Sequence, residues 1–499
     1  MQRRFTLLFL LFVVPVLCLG NNGEGPRPFE RAFAAFREDP ALDNASWAFV
    51  ARELNSGQSL IEHNPRLALT PASVQKLVTT ASALLALGQG YRFATLLEYD
   101  GSIDAEGVLQ GNLYIRGSGD PSLGASKMND SLALEKVYGR WKQALESAGI
   151  VRITGHVIAD DRVFDREMVP PRWLWGHIGN YFGAGASGLS ANENEYTVYF
   201  RAGDAPGAPA TVVGTDPEIP GMSFVNEVIT GPAGSGDQVY IYGAPYQAER
   251  RLTGSVPHGA RRFPVRGSMA NPPGFVADTF YAFLKKNGFG IDGNPMVLPH
   301  LPPHRTAIPG QRHVIASWLS PSLAHIVYRT NMYSVNSYAE NLLKAIGHHE
   351  KGEGSLNGGL AAIREIWEQR GIDTGGLSMF DGSGLSPSNR LTATQIMQIL
   401  VMMAAEPSFG AFYNSLPLAG RSGSLGNHFK NTASEGQLRA KSGTLNNVRS
   451  FAGYAPMQNG RLAAFVLIVN DYQGSPAAMR DKMFGLMGSL SESFPATGR

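Results

Sequence analysis

The chain has 499 residues, 43% of them hydrophobic, with 43 basic against 41 acidic residues and one cysteine. At about 150 residues per domain this length implies two to four domains, and the apolar content is enough for sizeable cores. Near-neutral charge without a long basic run argues against a nucleic-acid partner.

The first stretch, MQRRFTLLFLLFVVPVLCLG, combines two arginines, an apolar run and small residues, so residues 1–20 read as a secretory signal peptide cleaved near Gly20. An uncleaved anchor is the alternative, and lipidation at Cys18 is disfavoured by the large Leu17 before it. Without Cys18 the mature chain has no thiol, which excludes disulfides, cysteine nucleophiles and cysteine metal sites and suits an oxidising compartment such as the periplasm. No later run of apolar residues is long enough for a membrane span.

Residues 70–88, TPASVQKLVTTASALLALG, predict a helix with Thr70 as N-cap, Pro71 in the first position and Gly88 as the stop. Leu77, Ala81, Leu84 and Leu85 make its apolar stripe. From about 89 to 300, short strand-like runs such as TLLEYDG, NLYIRGSGDPSL, RITGHVIADDRVF, EYTVYFRAG and DQVYIYGAP alternate with Gly and Pro, which predicts β-rich inserted domains. Helical spacing returns in HVIASWLSPSLAHIVYRTN, SYAENLLKAIGHH, GGLAAIREIWEQRG and TATQIMQILVMMAA. The chain then reads as strand (QLRAKSGTL), strand (VRSFAGYAP), strand (RLAAFVLIVNDY) and helix. No fixed-period repeat or low-complexity tract interrupts this order.

Ser73 and Lys76 are three apart on a helix, so hydroxyl and amine are neighbours. A lone SxxK is weak evidence, because about one or two occur by chance in a chain this long. Two further segments change its weight: Ser334 and Asn336 form an SxN at a later helix start, and Lys441, Ser442, Gly443 and Thr444 form KSGT on a strand. SxxK, SxN and KSG in this order, each on its required element, form the motif set of serine β-lactamases and penicillin-binding proteins. The 261 positions from Ser73 to Ser334 are too many for a compact β-lactamase.

With these motifs and the blocks TPASVQKL, RGSGDPSL, WLWGHIGNYFGAGASGLSANEN, SVNSYAENLLK, DGSGLSPSNRLT, LPLAGRSGSL and LRAKSGTL, the chain resembles the D-Ala-D-Ala carboxypeptidase/endopeptidase family of low-molecular-mass, class C penicillin-binding proteins. The resemblance implies an α/β (α+β) architecture: a β-lactamase-like catalytic domain, an antiparallel sheet flanked by helices, interrupted by nested β-rich inserts. We expect the catalytic domain in 27–88 and 304–499, an inserted domain in 89–191 and 263–303, and a smaller nested insert in 192–262.

It also implies roles. Ser73 would be the nucleophile and Lys76 its base, with a pKa lowered by burial and by the charge of Lys441. Ser334 would relay a proton, and Asn336 would hold the peptide amide and orient Lys76. The N–H groups of Ser73 and Thr444 would form the oxyanion hole, while Lys441 and the Thr444 hydroxyl would hold the substrate carboxylate. Ser442 and Gly443, with Tyr181 and Phe182, would line the substrate site. Implied partners are a peptidoglycan pentapeptide or cross-linked stem peptide, and β-lactams as covalent inhibitors. No cofactor or metal is implied, and a homodimer is left open. Gly176, His177 and Pro387 depart from residues many relatives carry near the site for the peptide's side chain, leaving that preference open.

Some features carry bland readings. The loop DGSGLSPSN, 381–389, reads as a structural turn lining the cleft, with Asp381 structural rather than substrate-binding. GSGDP at 117–121 lacks a P-loop lysine and reads as a turn, and GHHEKGEG at 347–354 reads as a solvated helix end. Two rival functions stay in view: a β-lactamase, and a peptidoglycan-binding scaffold with a vestigial site.

Overall fold

The computed structural model describes residues 27–299, 311–457 and 460–492, so the signal-peptide segment and Cys18 lie outside the described residues. Around the site the fold is built on an antiparallel sheet in the order Ser59–His63, Ser46–Glu53, Leu462–Asn470, Val448–Pro456, Arg439–Leu445. Side chains alternate across a strand, and in Leu462–Asn470 both faces are covered. Ala464, Val466 and Ile468 join a helical layer, whereas Phe465, Leu467 and Val469 face the opposite side. The second side is closed by Phe29 and Phe36 of helix Pro28–Arg37 and by Met479, Met483 and Leu486 of helix Pro476–Glu492.

The helical layer contains Lys76–Leu87 at its centre, surrounded by Leu323–Tyr333, Asn336–Lys351, Leu356–Glu368 and Ala393–Ala405. Leu77, Ala81 and Leu84 of the expected stripe are buried there, and Leu85 packs at its edge. This is the expected antiparallel sheet flanked by helices.

The segment between the first helix of this layer and the second holds two further cores. One packs the helices Leu134–Ser147 and Pro272–Lys286 on a mixed five-stranded sheet, Met296–Val297, Val157–Asp160, Leu113–Arg116, Ala94–Tyr99, His313–Leu319. The other is all strand, around Tyr196, Val198, Phe200, Ile241 and Leu252.

Three expectations change. HVIASWL is a strand, His313–Leu319, antiparallel to Ala94–Tyr99, not the start of a helix; the helix begins only at Leu323. Its apolar residues suit either period, and an open sheet edge decided between them. That strand, expected beyond the border at 303, joins the inserted sheet, and Phe263–Ser268, expected beyond the border at 262, pairs with Glu195–Arg201 of the nested segment. The insert is also less purely β than expected, because helices such as Leu134–Ser147 and Pro272–Lys286 lie among its Gly- and Pro-rich strands.

Candidate active site

The nucleophile turn is not a simple helix start. Ala72–Gln75 is a 3₁₀ turn running into the helix Lys76–Leu87, and Ala72 has a left-handed φ of 47°. Such a conformation persists only where the surroundings over-determine it. Here Ser450 Oγ donates to the Pro71 carbonyl at 2.6 Å, and Asn470 Nδ2 donates to the Thr70 carbonyl at 3.3 Å. Thr70 is therefore not an N-cap: its hydroxyl accepts from Arg390 at 2.7 Å, and no side chain caps the turn. The helix does stop at Gly88, as expected, with φ 81°.

Gly443 packs directly on this turn. A Cβ there would meet Ser450 Oγ at 2.2 Å, the Pro71 carbonyl at 2.7 Å and the Ser73 nitrogen at 2.9 Å, so only glycine lets the KSGT strand approach the nucleophile this closely.

Lys76 is fully buried, and its amine donates to Ser73 Oγ at 3.1 Å, Asn336 Oδ1 at 2.5 Å and the Ser383 carbonyl at 2.7 Å. Burial pulls its pKa down to about 7, against the opposing effect of the Asp381 and Glu340 carboxylates. Lys441, also buried, donates to Ser334 Oγ at 2.9 Å and to the Ser442 carbonyl at 2.7 Å. Its pKa is held well below the usual lysine range by burial and then by the Lys76 charge. Two amines thus each hold one serine hydroxyl, and the like-charge effect expected on Lys76 is resolved on Lys441.

Ser334 is the left-handed residue, φ 58°, between two helices rather than the start of the second; Val335 occupies that N-cap position. Asn336 opens the second helix, with its carboxamide engaged at both ends, since Nδ2 donates to the Phe182 carbonyl at 2.7 Å. Its Oδ1 accepts from Lys76, and the bond to Phe182 uses one of the two Nδ2 hydrogens. Ser442 Oγ donates to Ser424 Oγ at 2.8 Å, and the exposed Thr444 hydroxyl accepts from Arg449. One cleft of about 700 Å³ is lined by Ser73, Ser334, Asn336, Ser442, Thr444, Tyr181 and Phe182, whereas Lys76, Lys441 and Gly443 lie behind its surface. His177 and Pro387, the departures from the family pattern, also line it; Gly176 does not.

Sequence reasoning missed Glu340, Ser383, Arg449 and Ser450. Glu340 accepts from the N–H groups of Gly382 at 2.9 Å and Ser383 at 2.8 Å, turning the Ser383 carbonyl toward Lys76. Burial, then the neighbouring Asp381, raises its pKa to about 7. The signal available was its position one helical turn after Asn336, on the same face. Glu340→Gln removes a charge that favours the Lys76 ammonium, so the acid limb of the acylation rate should move to lower pH, read by stopped-flow pH profiles.

Asp381 is wholly buried and accepts from Trp173 Nε1 (2.8 Å), Gln75 Nε2 (2.8 Å), the Gly384 N–H (2.8 Å), the Ser386 N–H (2.6 Å) and Asn389 Nδ2 (2.9 Å). It is the structural turn residue expected. Asp381→Ala strands these donors and should cost at least about 3 kcal/mol, checked by urea unfolding.

The chain has counterparts among known proteins. A family model described as the D-Ala-D-Ala carboxypeptidase 3 (S13) family matches residues 30–492. A D-alanyl-D-alanine carboxypeptidase from Actinomadura is 31% identical, over 96% of this chain and 89% of that protein. The crystal structure of penicillin binding protein 4 from Haemophilus influenzae superposes with a TM-score of 0.78 at 22% identity, over 92% of this chain and 98% of that one. A second structure of that protein, complexed with a β-lactam, gives a TM-score of 0.73 over the same shares at 22% identity. With a family match spanning almost all the described residues, the chain belongs to the D-Ala-D-Ala carboxypeptidase 3 (S13) family.

Proposed function

We propose that this D-Ala-D-Ala carboxypeptidase works through an acyl-enzyme on Ser73 and acts on peptidoglycan stem peptides. The single observation carrying the reading is the hydrogen bond of Lys76 Nζ to Ser73 Oγ at 3.1 Å, made by an amine whose pKa burial has brought to about 7. A base must be able to accept a proton at the working pH, and this one is half deprotonated near neutrality.

The hydroxyl of Ser73 attacks the carbonyl carbon between the two terminal D-alanines, and its proton passes to Lys76. The oxyanion is held by the N–H groups of Ser73 and Thr444, a reading supported by the close packing of Gly443, the residue before Thr444, on the Ser73 nitrogen. As the C–N bond breaks, the leaving amine takes a proton through Ser334, and D-alanine departs. Water then releases the acyl group. Thr444 offers a hydroxyl and Arg449, which donates to it, a positive charge for the substrate carboxylate, while the buried Lys441 holds Ser334 beside them. Tyr181 and Phe182 form the wall for the peptide's side chain.

Cleavage of D,D-cross-links is a second activity open to the same centre. The leader-like segment 1–20 supports action outside the inner membrane, in the periplasm. The test incubates the mature chain with benzylpenicillin for intact mass and with a pentapeptide for D-alanine release. A long-lived adduct together with release is the expected result. Rapid penicillin turnover would instead make it a β-lactamase, and no adduct with wall binding would make it a scaffold.

A further inference from the structure

A second cavity, of about 520 Å³, lies where the inserted sheet meets the helix Leu323–Tyr333, and its lining includes Arg92, Arg140, Trp318, His325, Tyr328 and Tyr333. Among the described residues no acidic side chain lines it. Lys127 and Arg329 at its wall are already neutralised, by Glu195 at 2.9 Å and by Glu193 at 2.9 and 3.2 Å. Arg92 and Arg140 are different: among the described residues neither has a carboxylate partner. Arg92 donates to the Ser320 carbonyl at 2.7 Å, and the Arg140 guanidinium stands over the Trp318 ring at 5.1 Å. Tyr333 is 56% exposed and lines both this cavity and the catalytic cleft. It directly precedes Ser334, so the two spaces share a wall.

Two guanidiniums without counter-ions, beside exposed aromatic surface, are arranged to receive a carboxylate on a ring- or CH-rich polymer. We propose that this cavity binds a carboxylate-bearing segment of the wall polymer that carries the substrate peptide, outside the catalytic cleft. The proposal rests on the peptidoglycan reading above.

The test compares wild type with Arg92→Glu/Arg140→Glu on two substrates, purified peptidoglycan and a short N-acylated tripeptide ending in D-Ala-D-Ala with an acetylated lysine. The variant should keep penicillin acylation and short-peptide kinetics within about twofold while the apparent KM for peptidoglycan rises about tenfold or more. Equal kinetics of variant and wild type on peptidoglycan would overturn the proposal. Should the double reversal lose penicillin acylation, and hence its fold, Arg92→Gln/Arg140→Gln is read by the same criteria. Wild type failing on the short peptide would sink the peptidase reading instead, which keeps the two failures distinguishable.

Discussion

Ser73→Ala is expected to lose all covalent capture of benzylpenicillin and to lower D-alanine release by at least about 10⁴-fold, while the protein stays folded. The Ser73 hydroxyl is the one nucleophile among the three partners of the Lys76 amine; the others are a carboxamide oxygen and a backbone carbonyl. The backbone of the turn is held through Pro71 and Thr70 rather than through the serine side chain, so alanine should leave its shape intact. Non-covalent affinity for a β-lactam should persist, since Lys441, Ser442 and Thr444 are untouched. Intact mass and equilibrium dialysis check the two halves of this expectation.

Lys76→Met is expected to slow acylation by about 10²–10⁴-fold, the range removal of a positioned base produces. The sign of the pH effect follows from the lowered pKa. Below about pH 7 the wild-type amine is protonated and cannot accept the serine proton, so its acylation rate falls as pH drops through that value. In Lys76→Met this limb should vanish from the residual rate. A limb that stays near pH 7 in the variant would transfer the titration to Glu340, whose pKa burial raises to the same region. Methionine nearly keeps the volume of the side chain but is one atom shorter and leaves Asn336 Oδ1 and the Ser383 carbonyl without this donor, so the loss of the pH limb, rather than the slower rate alone, reports the base.

The sequence exposed the three motif segments because the chemistry-bearing residues of each sit at fixed offsets within a few residues of chain, even where an element boundary falls between them. The last three strands were equally legible, since Leu462–Asn470 is a continuous apolar run bounded by turns, as a strand buried on both faces must be. Local rules failed where distant contacts decide. The positive φ of Ala72 depends on Ser450 and Asn470, nearly 400 residues away along the chain. Glu340 reads as a polar helix residue until the 381–389 turn folds onto it, and Asp381 acquires its donors from Trp173 and Gln75 only in the assembled structure. The strand His313–Leu319 was lost for a similar reason: its hydrogen bonds belong to Ala94–Tyr99, more than 200 residues earlier.

The most direct check is to digest the benzylpenicillin-treated wild-type protein and find which peptide carries the added mass. The hydrogen-bond geometry predicts modification of the peptide containing Ser73, suppressed as pH falls below about 7. Modification on Ser334, whose hydroxyl is held by the other buried amine, would contradict the assignment of Ser73 and Lys76 as the reacting pair.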